Sequence, residues 1–167
     1  AFIKNDGSLW TFGLNDSGQL GNGTMESSNI PIKIMDNVRA ISLGEKSSAA
    51  ITSNDELWIW GDSRLSAVQS NTNTPVLFMK NIKTVAMGLT HNALITNDHE
   101  LYMWGENDKY QLGNGNMDTS SEPVKIMSGA ADVSLGNYHT VALKRNGSVY
   151  VWGSNEYGQL GTASHEE

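Results

Sequence analysis

One five-residue phrase recurs four times along this chain of 167 residues, and no other feature constrains the fold as strongly. Each copy consists of Leu or Val, an aromatic residue, a variable residue, Phe or Trp, and a closing glycine; the copies occupy residues 9–13, 57–61, 101–105 and 149–153. Pro31, Pro75 and Pro123 each precede the next closing glycine by 30 residues. Segments of constant length indicate packed strands, whereas variable segments indicate exposed connections. We therefore predict stacked structural repeats.

Each repeat is expected to hold four β-strands and no helix. In the second repeat the expected strands lie at 32–34, 38–43, 48–51 and 57–60, where the period-two alternation fits half-buried strands. Asn-Asp or Asn-Gly pairs precede each aromatic strand and are typical of tight hairpins. The predicted units are 1–30 (partial), 31–74, 75–122 and 123–167, and they form one continuous segment.

A second phrase, Gly-Gln-Leu-Gly, follows three of the four aromatic strands, with Tyr in place of the first glycine at 110–113. Together with Trp-Gly-x-Asn and the Gly-x-x-His phrases that end at His91 and His139, it resembles the regulator of chromosome condensation repeat family. The second unit departs from this pattern, because Gly-Gln-Leu-Gly is missing after Gly61 and Ser47 stands at the histidine position. The resemblance covers essentially the whole chain.

The resemblance implies an all-β fold, a β-propeller of four-stranded antiparallel blades that are seven in a complete ring. Counting strands gives about three and a half blades, so we expect a piece of a longer propeller. Its open edges would permit self-association. The Asn- and Ser-rich composition without cysteine is taken to indicate a bacterial member.

The net charge and the amino-acid composition argue against several kinds of binding partner and site. The formal net charge of −7 argues against binding to nucleic acid, because an acidic surface repels phosphates. No stretch of 18 apolar residues predicts a membrane span. The absence of cysteine excludes disulfides and Cys-based metal sites but does not identify a compartment. We favour an extracellular or cell-surface location over the cytoplasm.

Candidate catalytic and metal-binding groups have simpler structural explanations. We expect the repeat-equivalent His91 and His139 to hydrogen-bond the backbone of a neighbouring blade, since no second ligand accompanies either at metal-binding spacing. Asp6, Asp55 and Asp98 lie at turn tips, where a carboxylate supports local backbone geometry and does not form a catalytic pair. The Gly-x-Gly elements precede no predicted helix, so they are not phosphate loops. We expect no catalytic residue, no cofactor and no metal, and hence no enzyme.

The expected frame consists of the residues that recur in every repeat. The aromatic residues Phe12, Trp60, Trp104 and Trp152 are expected to fill the space between blades, with their indole N–H groups bonded locally. The other expected frame residues are Gly13, Gly61, Gly105, Gly153, His91 and His139.

Binding residues are expected where exposed loops differ from repeat to repeat. One set follows the first strand pair of each unit, and the other precedes Gln-Leu-Gly; the candidates are Glu45, Lys46, Leu89, Thr90, Asn137, Tyr138, Asp108, Lys109, Tyr110 and Tyr157. Tyrosine on a rigid loop is a typical protein-contact residue. We therefore predict a non-catalytic scaffold that binds a protein whose identity the sequence does not reveal.

Two alternatives stay open, and a third is rejected. The resemblance also implies guanine-nucleotide exchange on a small GTPase, an activity known in the family. A purely structural or surface-displayed repeat array is the other alternative. Light sensing requires Trp and Arg at loop positions that hold Glu45, Lys46, Leu89, Thr90, Asn137 and Tyr138 here.

Overall fold

The computed structural model describes residues 1–62 and 72–162, and every regular element in these ranges is a β-strand. The fourteen strands of the described part are β1 (Phe2–Ile3), β2 (Leu9–Gly13), β3 (Ser28–Met35), β4 (Val38–Leu43), β5 (Ser47–Thr52), β6 (Leu57–Gly61), β7 (Thr72–Met79), β8 (Ile82–Met87), β9 (His91–Thr96), β10 (Glu100–Gly105), β11 (Ser120–Ser128), β12 (Ala130–Leu135), β13 (His139–Lys144) and β14 (Val149–Gly153). In these ranges the structure contains no helix that could cross a membrane.

The strands form four antiparallel sheets, which we call blades 1 to 4. Blade 1 contains β1–β3, blade 2 contains β4–β7, blade 3 contains β8–β11 and blade 4 contains β12–β14. The prediction of an all-β array of about three and a half antiparallel blades is therefore confirmed.

The blades are offset by one strand from the grouping expected in the sequence. The strand that carries Pro75, β7, pairs with the preceding aromatic strand β6 through Ile59 and Val76, and not with the strands that follow it. The strand with Pro123, β11, pairs with β10 in the same way. The expected grouping was wrong because a long, variable loop resembles a boundary between units, although it joins two strands of one antiparallel sheet.

The predicted hairpin turns also join each blade to the next. The residue two positions before the Leu or Val that begins each aromatic phrase is left-handed, with φ of 60° at Asp55 and 64° at His99, where other repeats have glycine. Its carbonyl oxygen accepts a hydrogen bond from the first strand of the following blade: Val38 N to Gly7 O at 2.9 Å, Ile82 N to Asp55 O at 3.0 Å and Ala130 N to His99 O at 2.9 Å. The same turn therefore closes a hairpin and fixes the position of the next blade.

The hydrophobic core lies between blades. Aliphatic residues of one blade pack against the tryptophan and first strands of the next; between blades 2 and 3 these include Ile51, Leu57 and Ile59 on one side and Leu94 and Trp104 on the other. A second cluster joins blades 3 and 4, and a third joins blades 1 and 2. Blade stacking supplies the apolar burial that a single four-stranded sheet lacks.

The aromatic frame residues are buried unequally. Trp60 and Trp104 are buried and Trp152 is half-buried, as expected of residues between blades. Phe12, at the same repeat position in blade 1, is 45% exposed, so the expectation that it fills an interblade space is wrong. In the described core, blade 1 packs against blade 2 through Leu9, and Phe12 is not part of that cluster.

Candidate interaction surface

The variable loops of blades 2, 3 and 4 converge at one end of the strands. They line two adjoining cavities, which together we call the loop groove. The first cavity, of about 470 Å³, is lined by Glu45, Lys46, Leu89, Thr90 and Tyr138 together with Asp62 and Glu106. The second, of about 690 Å³, includes Asp108, Lys109, Asn137, Tyr138 and Tyr157 in its lining. All the sequence-predicted binding candidates except Tyr110 therefore line the groove.

A repeated backbone hydrogen bond holds the two loops of each blade together. The N–H that follows the closing glycine donates to a carbonyl of the first variable loop. The three bonds are Asp62 N to Lys46 O at 2.9 Å, Glu106 N to Thr90 O at 2.9 Å and Ser154 N to Tyr138 O at 2.8 Å. The groove side chains therefore project from a backbone that forms the same hydrogen bond in three blades.

A buried asparagine organises each loop that contains Gln-Leu-Gly. Asn107 is fully buried, and its Oδ1 accepts a hydrogen bond from Leu112 N at 2.9 Å. Its Nδ2 donates to Asn116 O at 2.7 Å and to Asn114 Oδ1 at 2.9 Å. Asn15 and Asn155 accept the equivalent bond in blades 1 and 4. The Trp-Gly-x-Asn spacing is the sequence signal for this role of the asparagine, which was not predicted.

The Gln-Leu-Gly loop also holds the next blade. Gln19 O accepts hydrogen bonds from Trp60 Nε1 at 2.9 Å and from Ser48 Oγ at 2.8 Å. Gln111 O accepts the equivalent bond from Trp152 Nε1 at 2.9 Å. These indole bonds cross a blade boundary, so the expectation of local bonding is wrong. Residues 63–71, in the second unit that departs from the motif, lie outside the described residues.

His91 is a buried link between blades 3 and 4. Its Nε2 lies 2.9 Å from Thr140 Oγ1, and a backbone hydrogen bond with His139 also acts on the ring, so His91 contacts the backbone of the neighbouring blade as expected and a hydroxyl group in addition. Thr140 Oγ1 itself donates to Gln111 O at 2.9 Å, so His91, Thr140 and Gln111 form a chain of hydrogen bonds across the blade boundary. Desolvation by burial, together with nearby His139, lowers the pKa of His91 to about 4. The ring is therefore uncharged at neutral pH.

His139 has a different environment, although it occupies the equivalent position in blade 4. It is half-buried and lines the second cavity of the groove. In residues 1–62 and 72–162, no group of three or more His, Asp or Glu side chains could hold a metal ion. His165 lies outside these ranges.

The turn carboxylates lie at the opposite end of the strands and differ in their partners. Asp6 is local, as expected: it accepts hydrogen bonds from Ser8 N and Ser8 Oγ, and these bonds lower the pKa of its carboxyl group. Asp55 instead links two blades, since it accepts bonds from Arg39 Nη2 at 2.8 Å and from Asn97 Nδ2 at 2.9 Å. The expectation of a purely local role is therefore wrong for Asp55.

Tyr110 lies beside the groove in a strained backbone conformation. Its φ is 58°, and it occupies the place that Gly18 and Gly158 take in the other loops, where φ is 79° and 74°. A left-handed residue with a side chain costs about 1–2 kcal/mol relative to the ordinary conformation. The side chain is 39% exposed, so packing against the frame does not explain its presence.

The described geometry agrees with known repeat proteins. A profile of the Regulator of chromosome condensation (RCC1) repeat matches residues 6–51 and 98–143, and a second profile of the same repeat matches residues 82–111 and 130–159. The E3 ubiquitin-protein ligase HERC2 of Homo sapiens is 34% identical over 70 residues, which are 37% of this chain and 1% of that protein.

Solved structures show the same fold. Human WBSCR16 covers 99% of this chain with a TM-score of 0.86 at 23% identity, and Prp20p from Saccharomyces cerevisiae covers 99% with a TM-score of 0.84 at 22% identity. The chain spans 48% and 45% of those two structures, which is under half of their length. The repeat profiles, the blade pairing and the shared loop motifs together show that the chain belongs to the regulator of chromosome condensation (RCC1) repeat family.

Proposed function

We propose that the chain is a non-catalytic interaction module that binds another protein through the loop groove. The observation that carries the proposal is the contrast between frame and groove. The frame repeats the same hydrogen bonds from blade to blade, whereas the groove side chains differ in every blade. A rigid scaffold that presents non-repeating loops is a common arrangement for binding sites.

The exposed tyrosines support this proposal. Tyr138 is 41% exposed and forms part of both cavities, while Tyr157 is 90% exposed and lines the second cavity. Large aromatic side chains that are ordered on loops lose little entropy on binding and are frequent hot spots. The strained backbone of Tyr110 is a further indication, because strain that the frame does not require is often retained for function.

Proteins of the same fold provide an analogy for the class of partner. A solved complex contains yeast RCC1 (Prp20) bound to Kap60, and Prp20p was described together with its binding to Gsp1p and histones. Each of these partners is a protein. The likeness is one of fold, so the identity of any partner of this chain follows from neither structure.

Single substitutions at the groove tyrosines test the proposal. Tyr138→Ala and Tyr157→Ala should each weaken capture of the partner by about tenfold or more, because a hot-spot truncation costs about 2 kcal/mol. Tyr110→Gly should weaken capture as well, and it keeps the backbone in a conformation that glycine prefers. The measurement is an affinity pull-down with quantitative mass spectrometry, with the thermal midpoint of each variant as the folding check.

Tyr150→Ala is the matched control. Tyr150 is 45% exposed on β14 and lines neither cavity, so its loss should leave capture unchanged. Equal capture by Tyr138→Ala, Tyr157→Ala and the unaltered chain would refute the loop groove as the binding surface. A defect of equal size in Tyr150→Ala would refute it too.

A further inference from the structure

The first cavity of the loop groove has a surplus of negative charge. Among the residues that the structure describes, its lining contains three carboxylates and one cation: Glu45, Asp62, Glu106 and Lys46. Glu45 and Glu106 are exposed, and within residues 1–62 and 72–162 neither forms an ion pair. In the second cavity, by contrast, Glu156 is paired with Lys109 at 3.0 Å. Glu45 and Glu106 are therefore two carboxylates of the first cavity without a cationic partner in the described part of the chain.

Ser47, which is adjacent in sequence to Lys46 of the first cavity, has a buried hydroxyl group without a hydrogen-bond partner in the described residues. Ser47 is 1% exposed, and its Oγ has no hydrogen-bond partner in the described residues. It directly follows Lys46 and pairs in the sheet with Gly61, the residue before Asp62. At the same repeat position in blade 3, His91 reaches Thr140 of the next blade. The side chain of Ser47 is shorter than that of His91, and its hydroxyl group therefore makes no equivalent hydrogen bond to the next blade.

The other walls of the first cavity suit the stem of a long basic side chain. Leu89 offers an aliphatic surface, and Tyr138 offers an aromatic ring between the two cavities. Lysine and arginine bury their methylene groups against apolar surface while the charged head meets carboxylates or an aromatic face. Because Tyr138 belongs to both cavities, an occupant can extend from blade 2 to blade 4.

We propose that the loop groove binds an extended basic segment of a partner protein, with a lysine or arginine side chain in the first cavity between Glu45 and Glu106. This inference rests on the proposed function and specifies the chemistry of the partner. The formal net charge of −7 adds long-range attraction for such a segment.

A charge-matched pair of double variants tests the inference. The probe is a fluorescein-labelled peptide of alternating Arg and Gly, compared with the same peptide carrying citrulline for Arg. Glu45→Gln with Glu106→Gln should weaken binding of the Arg peptide by about five- to tenfold, as expected for two exposed charge pairs. Glu26→Gln with Glu122→Gln removes the same charge at exposed positions outside both cavities and should leave binding unchanged. Fluorescence anisotropy measures all combinations.

The outcomes separate this inference from the proposed function. Equal weakening in the two double variants would show attraction by net charge alone and would overturn the basic segment as a specific occupant; so would equal binding of the citrulline peptide. If Tyr138→Ala abolishes capture of the partner but the Glu45/Glu106 variant captures it normally, the loop groove stands and the basic segment is wrong. If neither set of variants affects capture, both proposals fail.

Discussion

Replacing Gly105 by alanine should lower the free energy of unfolding by about 3–5 kcal/mol, the sum of a strained backbone and a forced clash. The φ of Gly105 is +117°, which side chains with a Cβ rarely adopt. An added Cβ would lie 2.6 Å from Thr90 O and 2.7 Å from His91 Cα. Both are backbone atoms, one in the loop that lines the groove and one at the start of β9, so they cannot move aside as a flexible side chain would. Urea unfolding followed by tryptophan fluorescence measures the loss.

Gly13→Ala is the matched control for this experiment. Gly13 occupies the same repeat position with a φ of +120°, but an added Cβ meets no atom within 4 Å. In this variant backbone strain alone should lower the free energy of unfolding, by about 1–3 kcal/mol. Equal losses in Gly105→Ala and Gly13→Ala would contradict the close approach of the two loops within each blade.

Truncating Trp60 to alanine should cost about 3–5 kcal/mol, the usual range for a buried tryptophan. The indole is 1% exposed between blades 1 and 2, and its Nε1 donates to Gln19 O at 2.9 Å across the blade boundary. Its removal opens a cavity and leaves that carbonyl without one of its two donors. Circular dichroism in urea gives the free energy of unfolding without depending on the deleted fluorophore.

Phe12→Ala tests whether the cost in Trp60→Ala comes from blade stacking. Phe12 stands at the same position of the repeat phrase but is 45% exposed. Its truncation should cost less than about 1 kcal/mol, as for most exposed positions. Comparable losses at the two positions would indicate that the aromatic residue stabilises its own blade and not the contact between blades.

The strands and turns could be predicted because their signals are local. Alternation over four to six residues and Asn-Asp or Asn-Gly pairs specify a strand and its hairpin from the neighbouring residues alone. The grouping of strands into blades could not be predicted in this way, because strand pairing joins residues that are distant in sequence. A loop such as 106–119 does not reveal whether β10 and β11 belong to one sheet. The error in the blade boundaries has this origin.

The binding candidates were predicted because these loop residues differ from repeat to repeat. The structure places nearly all of them in one groove. Contacts across blade boundaries were missed, because they depend on how one sheet is rotated against the next. Asp6 and Asp55 show the difference: both lie in the hairpin turn before an aromatic strand, yet one bonds its own turn and the other bonds two residues of the blade interface. The cross-blade bonds of Trp60 and Trp152 escaped prediction for the same reason.

Hydrogen exchange of the chain with and without its captured partner tests whether the repeated frame presents the loop groove for binding. We expect the partner to slow exchange at the amides of residues 45–46, 89–90, 106–110, 137–138 and 156–157, which surround the groove. The strands β3, β7 and β11, which carry the prolines, should exchange as in the free chain. Protection of these strands, with the groove loops unchanged, would contradict the account.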